Sequence, residues 1–122
     1  QPTVSDDCTV YTKNDGESFA MSENYYISGL QFRGDSAFAE FDLNGKYSEM
    51  TFTIGNGEHA FASANWIITF TVDGKVVEEI RLSKDEEPQN VTISLNKGSK
   101  LRIDCNGNEN FSSCCLGNIM IK

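Results

Sequence analysis

The stretch from Trp66 to Leu82 constrains the fold more than any other part of this chain. Trp66, Ile68, Phe70 and Val72 alternate with Ile67, Thr69 and Thr71, the period of two that buries one face of a strand. Asp73-Gly74 follow, and both residue types take positive φ at low steric cost, as a two-residue type I′ turn requires. The second arm places Val76, Ile80 and Leu82 on one face, with Glu78 among them. A bulge or the strand end would turn that carboxylate out to water. The stretch therefore reads as a long β-hairpin at the centre of an antiparallel protein.

The same alternation recurs along the chain. After a frayed polar lead-in over residues 1–7, strands are expected over 8–13, 18–21, 25–32, 37–43, 46–54, 91–95, 101–105 and 118–122. Asn44-Gly45 and Asn96-Lys97-Gly98 supply tight turns, and Pro88 marks an acidic loop over 83–88. No helix of useful length emerges. About eight to ten strands with turn residues between them predict an all-β, antiparallel β-sandwich.

A length of 122 residues suits one domain, and 39% hydrophobic with 23% charged residues suits a soluble globular one. The net charge of −8 argues against nucleic acid and against an anionic membrane surface. No apolar run approaches the ~20 residues of a membrane span. The chain opens at Gln1 without a basic, apolar leader, so residues 1–122 are expected to be one module excised from a larger protein. Four cysteines, Cys8, Cys105, Cys114 and Cys115, permit two disulfides in three pairings. Cys105 also continues the inward alternation of Leu101 and Ile103, the position of a small buried hydrophobe. Bridges from Cys114 and Cys115 to two different strands suit disulfide geometry better than a vicinal ring. Disulfide use points to an extracytoplasmic location.

Counting strand reversals locates the functional end. Consecutive antiparallel strands place their connections at alternating ends of a sandwich. The connections at 33–36, 55–65, 83–88 and 106–116 then share one end, and the tight turns share the other. Long loops on a rigid sheet are where binding usually sits. Candidate contacts there are Arg33, Asp35, Asn56, Glu58, His59, Phe61, Asn65, Trp66, Asn108, Glu109, Asn110 and Phe111. Rings beside amides, carboxylates and a guanidinium suit a sugar, whose C–H face stacks on a ring while planar polar groups take its hydroxyls. Each has a plainer reading: Trp66 starts a core strand, Phe61 and Phe111 would fold back as lids, and the carboxylates would be solvated.

Catalysis has little footing. There is a single histidine, no Gly-x-Ser-x-Gly, no His-Glu-x-x-His and no phosphate loop. His59 and the cysteines lack the Cys-x-x-Cys spacing of a zinc site. Oxygen-rich loops would suit a structural Ca²⁺, yet none has a ligand spacing that demands one. A non-enzyme without a cofactor is expected.

From Tyr26 onward the order of segments resembles the NPCBM-type carbohydrate-binding modules, the group that includes carbohydrate-binding module family 51. The likeness rests on Tyr26-Ile27-Ser28-Gly29-Leu30, Phe41-Asp42-Leu43-Asn44-Gly45-Lys46-Tyr47, Phe52-Thr53-Ile54-Gly55, Phe70-Thr71-Val72-Asp73-Gly74-Lys75 and Leu101-Arg102-Ile103. It implies a galactose-binding-like jelly roll from a bacterial cell surface or extracellular protein, covalently linked to neighbouring domains such as a glycosidase and binding galactose-containing glycans. Where the family commonly carries an Asp-His-x-x-Trp-like stretch, this chain reads Asn108-Glu109-Asn110-Phe111. The contrasting expectation is a protein-interaction or architectural module, with a flat loop end, Trp66 buried and no polar pocket.

Overall fold

The Trp66–Leu82 hairpin forms as β8 (Asn65–Val72) and β9 (Lys75–Ser83), with Asp73 at φ 50° and Gly74 at φ 84° in the turn. The structure is a computed structural model that describes residues 2–14, 16–21, 24–33, 36–57, 65–83, 86–107 and 113–122. The other strands are β1 (Thr3–Val4), β2 (Cys8–Tyr11), β3 (Phe19–Met21), β4 (Asn24–Tyr26), β5 (Gly29–Arg33), β6 (Ser36–Asp42), β7 (Glu49–Asn56), β10 (Gln89–Ser94), β11 (Lys100–Gly107) and β12 (Ser113–Ile121). One sheet has the order β1-β6-β11-β8-β9 and the facing sheet β10-β7-β12-β5-β2, with every pair antiparallel. The expected antiparallel sandwich is the fold.

Between the sheets lies the core. Trp66, Ile68 and Phe70 of β8 with Leu101 and Ile103 of β11 face Phe32, Met50, Phe52, Ile54 and Leu116 of the second sheet. The Phe52 and Phe70 rings stack with centroids 5.2 Å apart. A separate ribbon, β3 paired with β4, covers the outside of the second sheet, where Phe19 and Met21 bury Cys115 against Tyr11 and Tyr26.

The registers bear out the count of strand reversals. In the first sheet Ser36, Asn106, Ile67 and Arg81 fall in one row, at the start of β6, end of β11, start of β8 and end of β9. In the second, Arg33 pairs with Ser113 and Cys114 with Asn56. The connections at 33–36, 56–65, 83–89 and 107–113 all pass from one sheet to the other at this end. The opposite end is tied by its turns: Gly45 donates to Gly98 O at 3.1 Å, Lys97 to Tyr47 O at 3.0 Å, and Ser99 and Lys100 to the Asp73 carboxylate, each at 3.0 Å.

Four expectations need correction. The lead-in is partly ordered, since Val4 pairs with Ala39 in β1. The last strand starts at Ser113, not Asn118: Gly117-Asn118 breaks the register as a bulge inside β12, with Asn118 at φ 53°. Val76 is 63% exposed, because a bulge at Val77 shifts the hairpin register and turns Val77 toward the core instead. Finally, Cys8, Cys105, Cys114 and Cys115 are all free, buried thiols rather than disulfides. Cys114 and Cys115 point to opposite faces of one strand, Cys114 into the main core and Cys115 under the β3–β4 ribbon, so no vicinal ring forms.

Candidate functional site

The bulge at Val77 builds the most promising cleft. Val72 pairs with Lys75 and Thr71 with Val76, and an unbroken ladder would set Arg81 opposite Trp66, facing the core. The extra residue moves Leu82 opposite Trp66 and Arg81 opposite Ile67, on the outer face. Asn106 of β11 pairs with Ile67 from the other side. The resulting row, Asn106–Ile67–Arg81, lies at the long-loop end. Together with Asn65 and Gly107 it lines a cleft of about 440 Å³.

The cleft's chemistry is mixed. Ile67 supplies a half-buried apolar surface, while Asn65, Asn106 and Arg81 are exposed around it. Two carboxamides each carry donors and acceptors, and a guanidinium carries five N–H donors. Arg81 is held by a 3.4 Å ion pair with Glu79. Lower on the same face, Arg102 lies 4.2 Å above the Phe38 ring and bonds Asp104 at 3.0 Å and Glu40 at 3.1 Å, a self-satisfied cluster. Its bond to Asp104 is the chief reason its guanidinium is pushed above its ordinary value. A second cavity, about 300 Å³ near the hairpin end, is lined by Val10, Leu30, Phe41, Ile119 and Ile121 among others, with few polar groups to orient a ligand.

The predicted contacts divide. Asn65 lines the cleft. Arg33 does not join it: Arg33 lies on the outer face of the other sheet, where its Nη1 donates to Thr9 Oγ1 at 2.8 Å. Beside it Gln31 Oε1 accepts from Tyr11 OH at 3.0 Å, and Gln31 Nε2 donates to Ser113 Oγ at 3.4 Å. Trp66 offers no stacking surface, because it is 0% exposed, and this corrects its reading as a ligand contact. Its indole Nε1 donates to Asn56 Oδ1 at 3.1 Å, so both residues support the loop end from within. Asp35, Glu58, His59, Phe61, Asn108, Glu109, Asn110 and Phe111 lie outside the described residues. Arg81 and Asn106 were missed by the sequence reading; the available sign was that a two-residue turn at Asp73-Gly74 sets Lys75 opposite the inward Val72, out of phase with Ile80 and Leu82, so a bulge must re-phase β9, and it leaves Glu78 opposite Phe70 but exposed. Among the described residues, no group of three or more His, Cys, Asp or Glu is placed to hold a metal ion.

The comparisons with known proteins agree with this architecture. The domain family described as NPCBM/NEW2 domain matches residues 3–114. The CBM51-2 and INT domains of Clostridium perfringens ZmpB, solved in complex with GlcNAc, align at 11% identity and TM-score 0.76, over 99% of this chain and 29% of that one. This chain thus spans less than a third of that structure's length. CBM51 from Clostridium perfringens GH95, in complex with methyl-galactose, aligns at 13% identity and TM-score 0.69, over 98% of this chain and 92% of that one. The carbohydrate-binding module CBM36, in complex with calcium and xylotriose, aligns at 8% identity and TM-score 0.52, over 100% and 99%. None of the curated proteins matches the chain.

Proposed function

Because this chain belongs to the NPCBM/NEW2 domain family, a group of non-catalytic carbohydrate-binding modules, we propose that it binds glycans through the cleft between Asn65, Arg81 and Asn106. The observation that carries this reading is the cross-strand row at the loop end. A pyranose ring would lay its C–H face on Ile67 while carboxamides and guanidinium take its hydroxyls. The methyl-galactose and GlcNAc complexes of two structural neighbours support a terminal galactose or N-acetylhexosamine as ligand. The buried Trp66 matches the architectural alternative, but the polar cleft does not, and the family likeness favours glycans. In this reading the module works outside the cell, on a secreted or surface protein of a bacterium, and recruits its neighbouring domains to glycans.

Calorimetric titration with methyl-galactose and GlcNAc, alongside a glycan array, tests the reading. At least one glycan should bind, and that binding should weaken in Asn106→Ala. A blank array, or affinity indifferent to Asn106 and Arg81, removes it.

A further inference from the structure

The β3–β4 ribbon covers one side of the second sheet's outer face and leaves the other side open. It stands on two glycines that give it room: a Cβ at Gly55 would meet Met21 Sδ at 3.1 Å, and one at Gly117 would meet the Tyr26 ring. Beyond that step a groove of about 360 Å³ runs over β7 and β10. Its outward side chains among the described residues are Thr51, Thr53, Asn90, Thr92 and Asn118, the last in the β12 bulge. The registers set them in two rows. Thr92 pairs with Thr51 and Thr51 with Met120, while Asn90 pairs with Thr53 and Thr53 with Gly117 beneath the Tyr26 ring. The rows lie two residues apart, about 7 Å along the strands.

The two outer faces differ in charge. On the first sheet Glu40, Asp42, Glu79, Arg81, Arg102 and Asp104 all point outward. In a chain of net charge −8, the described lining of the groove carries no charge. A charged ligand would find no counter-ion there. An apolar one would strip water from hydroxyls and carboxamides without replacing its hydrogen bonds. A neutral, hydroxyl-rich ligand meets neither cost. Thr53 Oγ1 donates to Asn90 Oδ1 at 2.6 Å, which leaves the hydroxyl's lone pairs and the Nδ2 protons for a ligand. An acceptor thus stands beside donors, the complement of two neighbouring sugar hydroxyls. The threonines are stiff at χ1, so little side-chain freedom is lost when they bind.

We infer that this groove is a second glycan site, taking two consecutive rings of a neutral oligosaccharide, one at each row. Met120, 61% exposed, ends one row, and Tyr26 stands at the end of the other. They supply apolar surface for the C–H faces of the rings. The ligand class rests on the glycan reading above. The site itself lies on the opposite outer face from the Asn65–Arg81–Asn106 cleft and does not need it.

The test is amide chemical-shift mapping by NMR with a β-linked galactotriose, xylotriose and maltotriose, and with trigalacturonic acid as the charged counterpart. At least one neutral trisaccharide should shift the amides of Thr51, Thr53, Asn90 and Thr92, and the acid should not. Thr53→Val keeps the side chain's shape and strand preference but removes the hydroxyl. It should weaken that binding about tenfold with Tm unchanged, whereas Asn106→Ala should leave it as it is. A groove unmoved by all three neutral chains, shifts confined to the loop-end cleft, an equal response to the acid, or wild-type affinity in Thr53→Val overturns the inference. Shifts at the groove with none at Asn106 and Gly107 would uphold it and remove the cleft reading alone.

Discussion

The indole N–H of Trp66 donates to the carboxamide oxygen of Asn56 at 3.1 Å, inside an otherwise apolar core. The same carboxamide donates from Nδ2 to Ser83 O at 2.8 Å. One asparagine on β7 thereby joins both arms of the central hairpin in the other sheet, at the roots of two long connections. Asn56→Ala leaves an indole donor and a carbonyl without these partners, so it should cost about 1–3 kcal/mol in urea unfolding. Trp66→Phe should cost at least as much, since it takes the indole donor from Asn56 Oδ1 and leaves a cavity where the ring was fully buried.

Asn106→Ala and Arg81→Ala should each weaken glycan affinity about tenfold, the loss of one good hydrogen bond to a sugar hydroxyl. Both residues are exposed, so Tm should hold in either variant. Arg33→Ala, on the far face, should leave affinity unchanged. Titration calorimetry on the three variants separates the cleft from the other loop-end residues.

Gly107→Ala probes how closely the cleft is fitted to the core. A Cβ at that position would meet the six-membered ring of the buried Trp66 indole. Overpacking of this kind costs about 1–3 kcal/mol, and the ring has no slack to yield. Thermal unfolding should show the drop, and glycan affinity should fall with it.

Alkaline pH should destabilise the fold. Burial is the main cause that pushes the Cys8 and Cys115 thiols from 9.0 up to about 12. Below pH 9 both states hold the proton and stability is level. Between about pH 9 and 12 the unfolded chain releases protons that the folded chain retains, so unfolding gains. The slope is about 1.4 kcal/mol per pH unit for each thiol. Urea midpoints at pH 8 and pH 10 should differ accordingly, and Cys8→Ala should reduce the slope.

Asp73→Ala acts at the other end. Its carboxylate accepts from the backbone of Ser99 and Lys100 and ties the hairpin turn to the β10–β11 turn. Loss should cost about 1–2 kcal/mol in chemical denaturation, with glycan binding untouched.

The sandwich and its two unlike ends were legible because a period of two and paired Asn-Gly or Asp-Gly turns act locally. Asn44-Gly45 and Asp73-Gly74 take the positive φ their residue types suggest. The cleft was harder to read, because it depends on register. Val77 slips the ladder by one residue, and that slip alone brings Arg81 out beside Ile67. Gly117-Asn118 looked like the edge of a loop, but it is a kink within a strand whose Cys114, Cys115 and Leu116 are already paired. Trp66 illustrates a different limit. Aromatic composition suggested a sugar platform, whereas its place in the alternation, which put it in the core, was the better guide.

The turn pole clamps itself through backbone bonds among Gly45, Gly98, Asp73 and Lys100, none of which reaches across to the other pole. The two poles are therefore tied by different means, one by turn-to-turn backbone bonds and the other by the buried Asn56 bridge to Trp66 and Ser83.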